Sequence, residues 1–100
     1  MDIKEVLKLA DILIFAHTSQ HLDDRQQAVL RGVLQGKKSA KIAEESNCTE
    51  GYVRNVASGL WQILSKALGK NVNRANLRST LERWQISNIS NSGNYVKIGR

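Results

Sequence analysis

Proline is absent from all 100 residues. The commonest helix breaker is therefore missing, and nothing in the chain forbids long helices. Cysteine occurs once, as Cys48. A lone thiol cannot staple a fold, and with only His17 and His21 beside it no zinc site can be assembled. A reducing, cytoplasmic setting is the simple inference. The five aromatic residues are too few to interleave with basic residues as stacking platforms for a single strand. Long apolar runs are also missing. The best, "ADILIFA", is broken by Asp11, follows Lys4, Glu5 and Lys8, and is far too short to span a bilayer. No cleavage signal of small residues follows it, so it reads as a core helix. There is no glycine-rich phosphate loop, no pair of carboxylates with a cleft to occupy and no nucleophile–base spacing. The chain is thus expected to be no enzyme and to have no cofactor, no metal, no small-molecule substrate and no membrane partner.

What is present is a chain of one-domain length with an ordinary apolar share, 41%, and a formal charge of +6. A small core is possible, and the excess of positive charge favours polyanions such as nucleic acid. Residues Met1 to His17 place Ile3, Val6, Leu7, Ala10 and Ile14 on one helical face, widened by Leu9, Ile12, Leu13 and Phe15. "HTSQHL", with its two histidines solvated, ends that helix. Asp23 is the N-cap of a second helix, with Asp24 in its first turn and Gly36 as its stop. Ser39 is expected to cap a short third helix with Ala40, Ile42 and Ala43 inside. Thr49 caps a fourth, in which Val53, Val56, Ala57, Leu60, Trp61, Leu64, Ala67 and Leu68 recur at three- and four-residue steps until Gly69. Asn73 opens a fifth through Leu77, Leu81 and Trp84. From Gln85 onward "ISNISNSGN" reads as loop or linker, and "YVKIG" as a short strand at most. The expected fold is all-α: about five helices, a tetrahelical helix-turn-helix core with an extra N-terminal helix. It spans residues 1–84 and is followed by a polar tail over 85–100.

The segment "SAKIAEESNCTEGYVRNVASGLWQIL" meets the demands of a helix-turn-helix unit: short helix, tight polar turn "SNC", longer helix. Ala43 is small where the second helix crosses the first. Gly51 is small where backbone or phosphate approaches, and Gly59 is a further candidate for close approach. The outer face of the fourth helix then carries side chains of a type that can reach base edges.

These residues resemble the LuxR/GerE-type helix-turn-helix domain, which typically reads "LTxRExEVLxLxAxGxSxxEIAxxLxISExTVKxHxxxI". Leu22, Arg25, Val29, Leu30, Gly36, Ser39, Ile42, Ala43, Glu50, Val53 and Arg54 match it, and "LGKNVNRANL" is similar to that family's "LGVxxRxxAV". The fourth helix is about one turn longer here, and Val56 stands where that family often has histidine. The stretch "GYVRNVASGLWQILSKALGKNVNRANLRSTLER" more narrowly resembles the N-terminal helix-turn-helix domain of cyanobacterial vWA-MoxR-associated signalling proteins, which precedes NB-ARC-type NTPase modules or repeats. The resemblance implies double-stranded DNA as partner, a transcription regulator of winged-helix-like class, and a homodimer formed through Leu77, Leu81 and Trp84. The wide apolar face of the first helix is a second candidate for the dimer surface.

Arg54 is the foremost candidate for a base or phosphate contact. The resemblance puts a basic residue there, and arginine reads guanine bidentately. Its alternative is an ion pair with Glu50 one turn earlier. Asn55, Ser58 and Gln62 lie on the same face; Thr49 and Tyr52 are candidates at its start. Lys37, Lys38 and Lys41, around the entry of the third helix, suit phosphates, whose contacts position a protein on DNA without specifying sequence. The other reading of the same scaffold is a protein-interaction adaptor of a larger signalling protein.

Overall fold

The structure, a computed structural model, describes residues 2–95, with side chains through residue 86. It consists of α1 (Ile3–Thr18), α2 (Asp24–Leu34), α3 (Ser39–Ser46), α4 (Glu50–Leu68) and α5 (Leu77–Tyr95), with no strand among the described residues. Among the described residues no helix is long and apolar enough to cross a membrane.

Local chemistry sets most helix ends. Asp2 and Glu5 form a capping box on α1, each side chain accepting from the other's backbone N–H. Asp23 and Gln26 repeat it on α2, and the Thr49 hydroxyl accepts from the Tyr52 N–H at 3.0 Å on α4. Gly69 closes α4 in the left-handed region (φ 67°), where glycine meets no Cβ penalty. Ser39 is not the cap of α3. The cap position falls on Lys38, which makes no side-chain capping bond, and Ser39 is the first helical residue. Ala40 is exposed and not inside. Asn73 and Asn76 exchange side-chain and backbone hydrogen bonds across the turn before α5, so the expected Asn73 cap orders that turn while the helix itself begins at Leu77.

α4 is the hub of the bundle, packing against α1, α2 and α3, and α5 packs on α1. Val6, Leu30, Ile42, Val53, Leu60, Leu64, Leu77 and Leu81 are the largest fully buried side chains. Leu77 and Leu81 therefore belong to the chain's own core and are not exposed for a dimer contact; Trp84 is half-buried at its edge. Helices α2 and α3 cross closely at Gly32. A Cβ built there would lie 2.5 Å from Cγ1 and 2.7 Å from Cδ1 of the buried Ile42. Gly51 and Gly59, the expected points of close approach, have nothing within 4 Å of such an atom.

Past Gln85 the expectation of a loop fails: α5 runs on to Tyr95. Ser and Asn each disfavour a helix interior by well under 1 kcal/mol, and no proline interrupts. Two turns packed in the core act as a nucleus from which propagation is cheap. The rest of the expected "YVKIG" strand, residues 96–99, lies outside the described residues.

The join between α1 and α2 is held by Asp11. Its carboxylate accepts the Leu22 N–H at 2.7 Å and bonds His21 Nδ1 at 2.8 Å, and the His21 ring stacks on Phe15 at 4.3 Å. His21 is thus part of a small network and not merely a solvated helix end. Burial pushes the Asp11 carboxyl up, but the Leu22 N–H and the His21 ring together outweigh it and hold the group below the usual carboxylate range. A carboxyl with a depressed folded-state pKa stabilises the fold above its unfolded pKa, and the contribution is lost as pH falls through the folded value. Asp11→Ala is expected to lower unfolding free energy by about 1 kcal/mol at neutral pH. The gap to wild type should narrow in acid. Denaturant titrations at pH 7 and below the carboxylate range check it, and a gap independent of pH would leave the charge no role.

Candidate nucleic-acid interface

The helix-turn-helix unit is α3, the turn Asn47–Thr49 and α4. The turn is tight because Asn47 takes the left-handed conformation (φ 55°) and the Cys48 N–H donates back to the Ala43 carbonyl at 3.0 Å. Cys48 is half-buried against the core. With Val53, Leu60 and Leu64 buried beneath it, α4 must present its other side outward. That side carries the adjacent Arg54 and Asn55, then Ser58, Gln62 and Lys66 at steps of three or four residues, all exposed. From Arg54 to Lys66 the stripe is about 18 Å long at 1.5 Å per residue.

The other expected site residues surround the start of this stripe without all joining it. Thr49 is occupied as the cap. The Tyr52 ring lies under the guanidinium of Arg25 at 5.2 Å, a cation–π contact that ties the start of α2 to α4. Of the three lysines, Lys37 donates to Glu45 at 2.7 Å and Lys41 to Glu44 at 3.4 Å, while Lys38 has no acidic partner among the described residues. The Lys37 ammonium holds the Glu45 carboxyl below its usual range. Arg54 is ion-paired with Glu50 one turn earlier. The cations nearest the helix-turn-helix are therefore partly answered by carboxylates of the same unit. Exposed pairs of this kind are weak, and a phosphate can replace the carboxylate.

Arg74 is not among the site residues expected from sequence. It stands in the turn ahead of α5, donates to the Lys37 carbonyl, and so binds that turn to the entry of α3. With Ser39, Arg54 and Ser58 it lines a groove of about 170 Å³ beside α4, floored by Val53 and Trp61. The signal available in sequence was the bracket of asparagines in "NVNRAN", which fixes the turn but not its neighbour. From Gly51 to the end of the chain Glu82 is the single acidic residue, so the positive charge gathers on the α4–α5 side. No group of three His, Cys, Asp or Glu suited to a metal occurs among the described residues.

The chain matches the family described as the vWA-MoxR associated protein N-terminal helix-turn-helix over residues 1–84. It belongs to that family. No curated protein and no solved structure matches it.

Proposed function

We propose that this vWA-MoxR associated N-terminal helix-turn-helix domain binds duplex DNA, with α4 in the major groove, and serves transcription control in the cytoplasm. The observation that carries the reading is the exposed stripe Arg54–Asn55–Ser58–Gln62–Lys66 on a helix whose opposite face is locked into the core. Arginine, asparagine and glutamine are the side chains that read base edges by paired hydrogen bonds. The likeness of residues Leu22 to Leu81 to LuxR/GerE-type domains supports the same docking, with α3 crossing the backbone. Lys38, and Lys37 and Lys41 once released from their glutamates, anchor phosphates.

The test is a fluorescence-anisotropy titration of wild type and Arg54→Ala against duplex DNA at two salt concentrations. Binding is expected to weaken steeply with salt, as counterion release requires. Arg54→Ala should lose about tenfold or more in affinity, within the roughly 1–3 kcal/mol of one bidentate contact.

A second reading, the protein-interaction adaptor, is favoured by one observation: Ile12 and Phe15 on α1 are 48% and 44% exposed. If no duplex binds even at low salt, the adaptor reading replaces the first. Substitution of these two apolar residues should then abolish partner binding. A homodimer, in either reading, would have to use a surface of this kind in place of Leu77 and Leu81.

A further inference from the structure

We infer that the groove between α4 and Arg74 seats a backbone phosphate of one DNA strand; this rests on the duplex-binding reading above. Three segments far apart in the chain converge there: Ser39 opens α3, Arg54 and Ser58 come from α4, and Arg74 from the turn before α5. All four side chains can donate hydrogen bonds, and no carboxylate lines the groove. Arg74 spends part of its five-donor fork on the Lys37 carbonyl, which fixes the guanidinium while leaving donors for a ligand. It pairs with no carboxylate among the described residues, unlike Arg54. The Arg74 guanidinium with the Ser39 and Ser58 hydroxyls, around a recess of about 170 Å³, suits a tetrahedral phosphodiester oxyanion, and leaves Arg54 its base-edge role.

The track does not stop at that point, which favours a strand over a free anion. Ser58 and Trp61 are shared with a second, more open recess of about 360 Å³ that continues past Gln62 and Lys66 to Asn71. The two recesses run beside the exposed stripe of α4, where a strand must lie if α4 enters the major groove. Arg74, which carries no base-reading role in this arrangement, acts as a positioning contact.

The experiment compares Ser39→Asp with Ala40→Asp in the full chain, by duplex binding at two salt concentrations and by thermal unfolding. Both put one carboxylate into the first turn of α3, where it suits the helix N-terminus, so neither Tm should fall. Only residue 39 lines the groove. Ser39→Asp is expected to lose about tenfold in affinity and to flatten the dependence of log K on log salt by roughly one phosphate's worth. Ala40→Asp should lose clearly less. Arg74→Gln should flatten the slope by a similar amount. Equal losses for the two aspartate variants, with wild type binding normally, would overturn the phosphate seat and leave duplex binding standing. If wild type binds no duplex, both readings fall together.

Discussion

Leu81→Ala is expected to lower the unfolding free energy by about 3–5 kcal/mol, the range for deleting a fully buried leucine with incomplete collapse of the cavity. Leu81 has no exposed surface and sits in the core cluster that unites α1, α4 and α5. In a domain of this size the whole stability is of order 5–15 kcal/mol, so the midpoint should fall by roughly 15 °C or more. The loss should be the same at every protein concentration. That last point separates the core role from the dimer role that resemblance assigned to Leu77, Leu81 and Trp84. A residue at a subunit interface would weaken association instead, and the apparent stability would then depend on concentration. Trp84→Ala, at the half-buried edge, should perturb folding less than Leu81→Ala. A Leu81→Ala protein with a native midpoint but an altered oligomeric state would return Leu81 to an interface.

The same residues show where sequence reasoning reaches and where it stops. Helix ends were legible where the signal is local: Asp23 and Thr49 cap through their own side chains, and Gly36 and Gly69 supply the positive φ that follows a helix. The outward stripe of α4 was legible too, because the strongest apolar periodicity in the chain identifies the buried side and leaves Arg54, Asn55, Ser58 and Gln62 on the other. The i, i+4 spacing of Glu50 and Arg54 foreshadowed their ion pair. Periodicity does not say which neighbour covers an apolar face. Leu77 and Leu81 form the same pattern whether α1 or a second chain lies on them. The groove was illegible for a related reason: Arg74 stands 20 residues from Arg54, and only the packing of α5 returns it to α3. The continuation of α5 past Gln85 was missed because Ser and Asn favour loops on average, while the nucleus that overrides them lies two turns earlier in the core.

Glycine gives the sharpest contrast, and the second large effect follows from it. Gly32 and Gly59 are both interior helical glycines, and intrinsic propensity alone predicts that alanine stabilises each by up to about 1 kcal/mol. Gly59 has open space around the site of a Cβ, so Gly59→Ala is expected to realise that gain. Gly32 does not: its Cβ would overlap Cγ1 and Cδ1 of Ile42, which is 2% exposed, so the Ile42 side chain must leave its packed position. Overpacking of this kind costs about 1–3 kcal/mol, which outweighs the propensity gain. Gly32→Ala is therefore expected to destabilise by roughly 1–2 kcal/mol, opposite in sign to Gly59→Ala. Denaturant unfolding of both variants checks the sign. A double-mutant cycle locates the cause, since in an Ile42→Val background, which lacks Cδ1, the penalty at Gly32 should shrink. If Gly32→Ala stabilises as Gly59→Ala does, then α2 and α3 do not approach as closely as their packing at Gly32 implies, and the placement of α3 beneath the candidate DNA-binding helix would have to be redrawn.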